Sequence, residues 1–160
     1  MEQLIQAFLT ALNAAGITAV RQQPQLTLPL LSAPVTAVGL AGAKGEEQAF
    51  FEYLGELEQE GSTISLYGRR LEAEVSLTVY CPKKLGGQRC RQEADSICAL
   101  LSGHLDGIRF AGFSVEPCRY EPESDLFCCR ITAQARAYLY ALANEDETEF
   151  TDFILKGTAR

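Results

Sequence analysis

At 160 residues, with 47% apolar and 22% charged side chains, the chain has one domain's length and a core-forming composition, which excludes disorder along its whole length. A net charge of −7 disfavours reading of nucleic-acid grooves and docking on anionic lipid, since both require a cationic surface. No run approaches the ~20 apolar residues of a membrane-spanning helix.

The start, Met-Glu-Gln-Leu-Ile-Gln-Ala-Phe, lacks the basic residues and cleavage pattern of a signal peptide, so the expected compartment is the cytoplasm. Leu4, Ile5, Phe8, Leu9 and Leu12 recur at helical spacing, which predicts a helix from Glu2 to Ala15 stopped by Gly16. Pro24, Pro29 and Pro34 punctuate the next segment. Leu26 to Leu31 is apolar, and Pro29 restricts it to an edge strand or an extended arm. Val35 to Leu40 reads as a strand. Gly39, Gly42 and Gly45 then predict a flexible loop with Lys44, Glu46 and Glu47 exposed. Phe50 to Leu57 reads as a strand from Phe51, Tyr53 and the flanking Gly55.

Leu71 to Tyr80 carries the clearest pattern. Leu71, Ala73, Val75, Leu77 and Val79 alternate with Glu72, Glu74, Ser76, Thr78 and Tyr80, as in a strand with one wet face. Pro82 and Gly86-Gly87 end it. A second helix is expected from Gln88 to His104, with Cys90, Ala94, Ile97, Cys98 and Leu101 inward and Arg89, Arg91, Gln92, Glu93 and Asp95 facing water. Ile108 to Tyr120 and Leu126 to Leu142 read as two long strands joined into a hairpin by the polar residues 121–125. Phe127, Cys129, Ile131, Ala133, Ala135 and Ala137 share one face of the second. From Asn144 the chain turns acidic, and Phe150 to Leu155 is apolar again, like a strand on a charged linker.

The expected fold is α+β: a mixed, mainly antiparallel sheet flanked by two main helices. One domain spans 1–142, and 143–160 forms a C-terminal acidic linker and strand-like arm.

The residues that carry chemistry do not assemble into a catalytic set. Cys81, Cys90, Cys98, Cys118, Cys128 and Cys129 contain no Cys-x-x-Cys, and the single histidine, His104, cannot complete a usual zinc site. Without a secretory signal the cysteines are expected to be free thiols serving as small hydrophobes. Strand alternation sends Cys128 and Cys129 to opposite faces, so at most one joins the core. His104 reads as a solvated helix-end residue. Gly39, Gly42 and Gly45 lack the Lys-Ser/Thr pair of a phosphate loop. Glu56, Glu58 and Glu60 read as a solvated face, and Glu72 with Glu74 could pair as carboxylates but have no pocket-forming partner in sequence. No catalytic, cofactor-binding or metal residues are assigned. Tyr67-Gly68-Arg69-Arg70 reads either as a turn before the best strand or as a contact patch, since Tyr and Arg are enriched at interfaces. Candidate interface residues are Tyr67, Arg69, Arg70, Phe150, Phe153, Ile154 and Leu155.

The order of elements carries a resemblance. Tyr53-Leu54-Gly55, Leu66-Tyr67-Gly68-Arg69, a strand ending Val79-Tyr80-Cys81-Pro82, Gly86-Gly87 before a helix, and a long hairpin follow one another over residues 1–142. This resembles the tail terminator and tail completion proteins of tailed phages and phage-derived contractile particles. Asp152 to Gly157 also looks like terminal strands of phage tail proteins. The resemblance implies a non-enzymatic subunit without cofactors, assembling with itself into a ring, typically a hexamer. Such a ring caps the tail tube and joins it to the head or collar. Implied partners are the tube protein, the sheath or the head–tail connector, with DNA only passing through the lumen and no membrane. Assembly would occur in the bacterial cytoplasm, and the product would reside in the virion tail. The alternatives are another connector or baseplate component, or a small thiol-dependent enzyme.

Overall fold

A computed structural model describes residues 2–22, 31–46, 53–59, 62–103, 108–143 and 153–156. It contains helix α1 (Glu2–Ala14), strands β1 (Ala19–Arg21), β2 (Val35–Glu46), β3 (Tyr53–Gln59) and β4 (Ser62–Pro82), and a 3-10 turn at Lys83–Leu85. Helix α2 (Gly86–Ser102) and strands β5 (Arg109–Val115), β6 (Arg119–Glu121), β7 (Leu126–Ala143) and β8 (Phe153–Lys156) follow. All eight strands belong to one sheet with central order β1-β2-β4-β7-β5. β1 and β2 run parallel, and every other pair is antiparallel. The fold is therefore α+β, as the sequence predicts.

Helix α1 buries Leu4, Ile5, Phe8 and Leu12. It ends where Gly16 adopts φ +80°, which lets the Ile17 amide reach back to the Leu12 carbonyl at 2.9 Å. Arg21 on β1 holds the Glu2 carboxylate through both guanidinium nitrogens, at 2.5 and 2.6 Å, and so ties the first turn of α1 to the sheet.

Strand β2 extends well past Leu40, so the predicted glycine loop is a correction. Gly42 to Glu46 pair in register with Glu74 to Arg70, after a bulge between Leu40 and Gly42. The weak strand propensity of glycine is overridden by the ladder that β4 offers. The same force corrects the turn reading of Tyr67-Gly68-Arg69-Arg70, which lies inside β4 with partners on β7 throughout. The strand expected near Phe50 runs from Tyr53 to Gln59. The Leu26 to Leu30 stretch and His104 lie outside the described residues.

The core forms between one face of the sheet and both helices. Leu71, Ala73, Val75, Leu77, Val79 and Cys81 of β4 are buried beside Cys129, Ile131, Ala133, Ala135 and Ala137 of β7. Helix α2 adds Cys90, Ala94, Ile97 and Leu101, and Cys98 packs half-buried against them. Glu93, expected in water, is buried, with its carboxylate 3.0 Å from Arg89 one turn earlier. That pairing offsets the cost of removing the charge from solvent. Gly87 lies against the Phe127 ring, where an added Cβ would come within 3.1 Å of a ring carbon.

The expected strand from Ile108 to Tyr120 divides into β5 and β6. Residues 116–118 interrupt it, where Pro117 has no amide to give the ladder. The β6–β7 hairpin closes through residues 122–125, and Asp125 takes a left-handed φ of +56°. Of the vicinal cysteines, Cys129 joins the core cluster, while Cys128 is buried outside it.

Thr36 is fully buried on β2, and its hydroxyl has no hydrogen-bond partner among the described residues. An unsatisfied buried hydroxyl costs roughly 1–3 kcal/mol. Thr36→Val keeps the shape and removes the orphan, so it should raise unfolding free energy by about 1 kcal/mol in a denaturant titration. A loss of stability would show that the hydroxyl finds a partner.

Candidate interaction surface

Strand β4 has 21 residues, a length of roughly 70 Å at strand rise. Its C-terminal part, from Leu71, lies under the helices. Among the residues whose burial is described, the part before it contributes none to the core cluster and forms a sheet extension. There β3 pairs β4 on one side, β7 pairs it on the other, and β8 adds to β7.

Register aligns the candidate residues across this extension. Tyr53 pairs with Tyr67, Tyr67 with Ala141, and Ala141 with Phe153. Arg69 pairs with Leu139, which pairs with Leu155, while Gly68, Tyr140 and Ile154 form the row between. Arg70 pairs with Tyr138. The structure thus places Tyr67, Arg69 and Arg70 on β4 and Phe153, Ile154 and Leu155 on β8, with β7 between them, although the two groups lie far apart in sequence. Phe150 lies outside the described residues.

The rings of Tyr53 and Tyr67 meet edge to face, 5.6 Å apart, and remain 38% and 37% exposed. This pair is a large, rigid apolar contact with polar tips, the side-chain type that anchors interfaces. Partial desolvation, then the neighbouring Glu56, raises the Tyr53 phenol above its ordinary value. Sequence reasoning did not assign Tyr53 to this surface. The available signal was symmetry: Tyr53 and Tyr67 stand equidistant from Glu60, each near a glycine.

Part of the sheet face opposite the helices is polar. Glu74, Arg130, Gln134 and Arg136 are exposed there, with Ser76 and Thr132 half-buried between them. Glu72 accepts a hydrogen bond from Arg136 at 3.0 Å and lies 3.4 Å from Arg70. With Glu74 it borders an open depression of about 320 Å³ that also includes Lys44 and Gln134. A carboxylate clasped by two guanidinium groups acts as a cross-strand tie.

The hairpin end carries a second polar cluster. Lys83 lies 3.1 Å from Asp125 and 5.2 Å from the centre of the Tyr120 ring, and the Tyr120 hydroxyl donates to Asp125. The hydrogen bond from Tyr120, followed by that from Lys83, holds the Asp125 carboxyl below its ordinary range.

All six cysteines are free. Burial pushes the thiols of Cys81, Cys90, Cys98 and Cys129 upward, and that of Cys128 up to about 12. These environments favour the thiol over the thiolate that nucleophilic chemistry requires. Among the described residues no group of three or more His, Cys, Asp or Glu is arranged to hold a metal ion, and no helix is long and apolar enough to cross a membrane. No family model matches the chain, and no curated protein matches it at a significant level.

Proposed function

We propose that the chain is a structural assembly protein that associates with copies of itself into a closed ring, acting as a tail terminator of a phage or phage-derived particle. The observation that carries the assembly reading is the sheet extension: beyond the helix-covered core, a four-stranded surface presents the exposed Tyr53–Tyr67 pair beside Arg69. Exposed aromatics with arginine on rigid strands are contact chemistry, and head-to-tail contact of unlike surfaces closes into a ring. The placement in a tail rests on the resemblance in element order over residues 1–142. In this reading the partners are the tube protein below and the sheath or connector above, and DNA passes through the lumen. The acidic balance of the chain suits passage without adhesion. A connector or baseplate role would differ in neighbours and not in chemistry. The thiol-enzyme reading is disfavoured by the upward shift of the buried thiols. Molecular mass in solution, with and without a tail-tube protein, tests the proposal.

A further inference from the structure

The two lateral edges of the sheet match each other. Among the described residues, β5 has a strand partner on one side only, and so does β2 beyond Val38. Ala41 to Gly45 on β2 and Ala111 to Val115 on β5 are exposed. Neither Leu40 to Ala43 nor Phe110 to Val115 carries the charge or proline that ordinarily blunts an edge. β2 and β7 both run antiparallel to β4, and β5 runs antiparallel to β7, so β5 and β2 run in opposite directions. A second copy in the same orientation therefore presents its β2 antiparallel to β5 of the first. Each copy offers one of each edge, the unlike surfaces that head-to-tail contact requires.

Backbone alternation fixes which groups face outward. The Glu116 amide donates to the Arg130 carbonyl, so Val115 and Phe113 turn away from β7, as does Phe110 across the bulge before Gly112. On β2 the Val38 carbonyl faces β1, where it accepts from the Gln22 amide at 2.7 Å. Leu40 turns the same way, as do Ala43 and Gly45 across the bulge before Gly42. One register, level with the chain's own rows, sets Arg109 against Lys44 and Val115 against Val38, whose carbonyl is taken. A shift of two residues keeps every side chain on its face and sets Arg109 against Glu46, a pair of opposite charge. Val115 then meets Leu40.

We propose that β5 of one copy adds to β2 of the next in this shifted register, pairing Phe110, Phe113 and Val115 with Gly45, Ala43 and Leu40. All six lie on the helix side of the sheet. Phe113 and Val115, 40% and 47% exposed, thereby leave water over small side chains, and the backbones supply the hydrogen bonds. β8 continues the β5 edge along β7 and β3 continues the β2 edge along β4, so the same seam runs on toward Tyr53. The inference rests on the ring reading and names the contact between its copies.

Ser114→Cys and Gly42→Cys in one chain test it. In the shifted register these positions oppose each other as a non-hydrogen-bonded pair, close enough for a disulfide. Within one copy they stand on opposite edges of four strands, at least roughly 14 Å apart and beyond disulfide reach. An added Cβ at Gly42 meets nothing within 4 Å. The double variant, its fold checked by circular dichroism, is treated with oxidised glutathione, alkylated and examined by non-reducing gel and peptide mapping. The expected result is a series of covalent oligomers ending at one closed size, joined through positions 42 and 114. Neither single variant should give it, and adding Val115→Lys should abolish it. A chain that stays monomeric, or links between like positions, would overturn the strand pairing. Oligomers of one closed mass without a 42–114 link would overturn the pairing and leave the ring reading standing. Open chains of unlimited mass joined through 42 and 114 would uphold the pairing and overturn the closed ring.

Discussion

Leu77→Ala should destabilise the chain by about 3 kcal/mol, a large fraction of the stability of a domain this size. Leu77 is fully buried on β4, between Val38 of β2 and Ile131 of β7, and both neighbours are fully buried as well. Truncation removes the transfer free energy of the lost carbons and leaves a cavity that three packed strands and the overlying helices cannot collapse to fill. The thermal midpoint should fall by roughly 10 °C, whereas Leu85→Ala, at a 40% exposed position, should move it little. Equal effects at the two positions would mean that the sheet core is not where the fold's stability lies.

Deleting residues from Asn144 onward should leave the chain folded while abolishing assembly. β8 pairs with Tyr138 to Ala141 of β7, which follow the core positions Cys129 to Ala135 along that strand. The arm therefore returns to its own sheet and completes the edge of the extension. Among the described residues its loss removes one short ladder, so the thermal midpoint should drop by no more than a few degrees. The contact surface, by contrast, loses Phe153, Ile154 and Leu155 and exposes the edge of β7. Circular dichroism and sedimentation of the truncated chain check both halves. A large fall in stability would place the arm in the core, and intact assembly would deny it the role assigned here.

The parts legible in sequence were those fixed by local periodicity. The alternation from Leu71 to Val79 marked the central strand, the stripe from Leu4 to Leu12 marked α1, and Gly16 marked its stop. Where the sequence misled, distant neighbours decided the outcome. Gly39, Gly42 and Gly45 look like a loop, and Tyr67-Gly68 looks like a turn, yet both lie on strands because β4 has partners along its whole length. Glu93 reads as solvent-facing until Arg89 is seen to compensate it. The interaction surface was legible residue by residue in Tyr67, Arg69 and Arg70, but not as a surface. Its unity comes from register, which places Phe153 two strands away from Tyr67 and has no counterpart in the order of residues along the chain.

Self-assembly is tested most directly by negative-stain electron microscopy of the purified chain, alone and with a tail-tube protein, alongside mass measurement in solution. The expected result is a closed ring of a single size, formed by the chain alone or on the end of the tube. A strict monomer that also ignores the tube protein would contradict it.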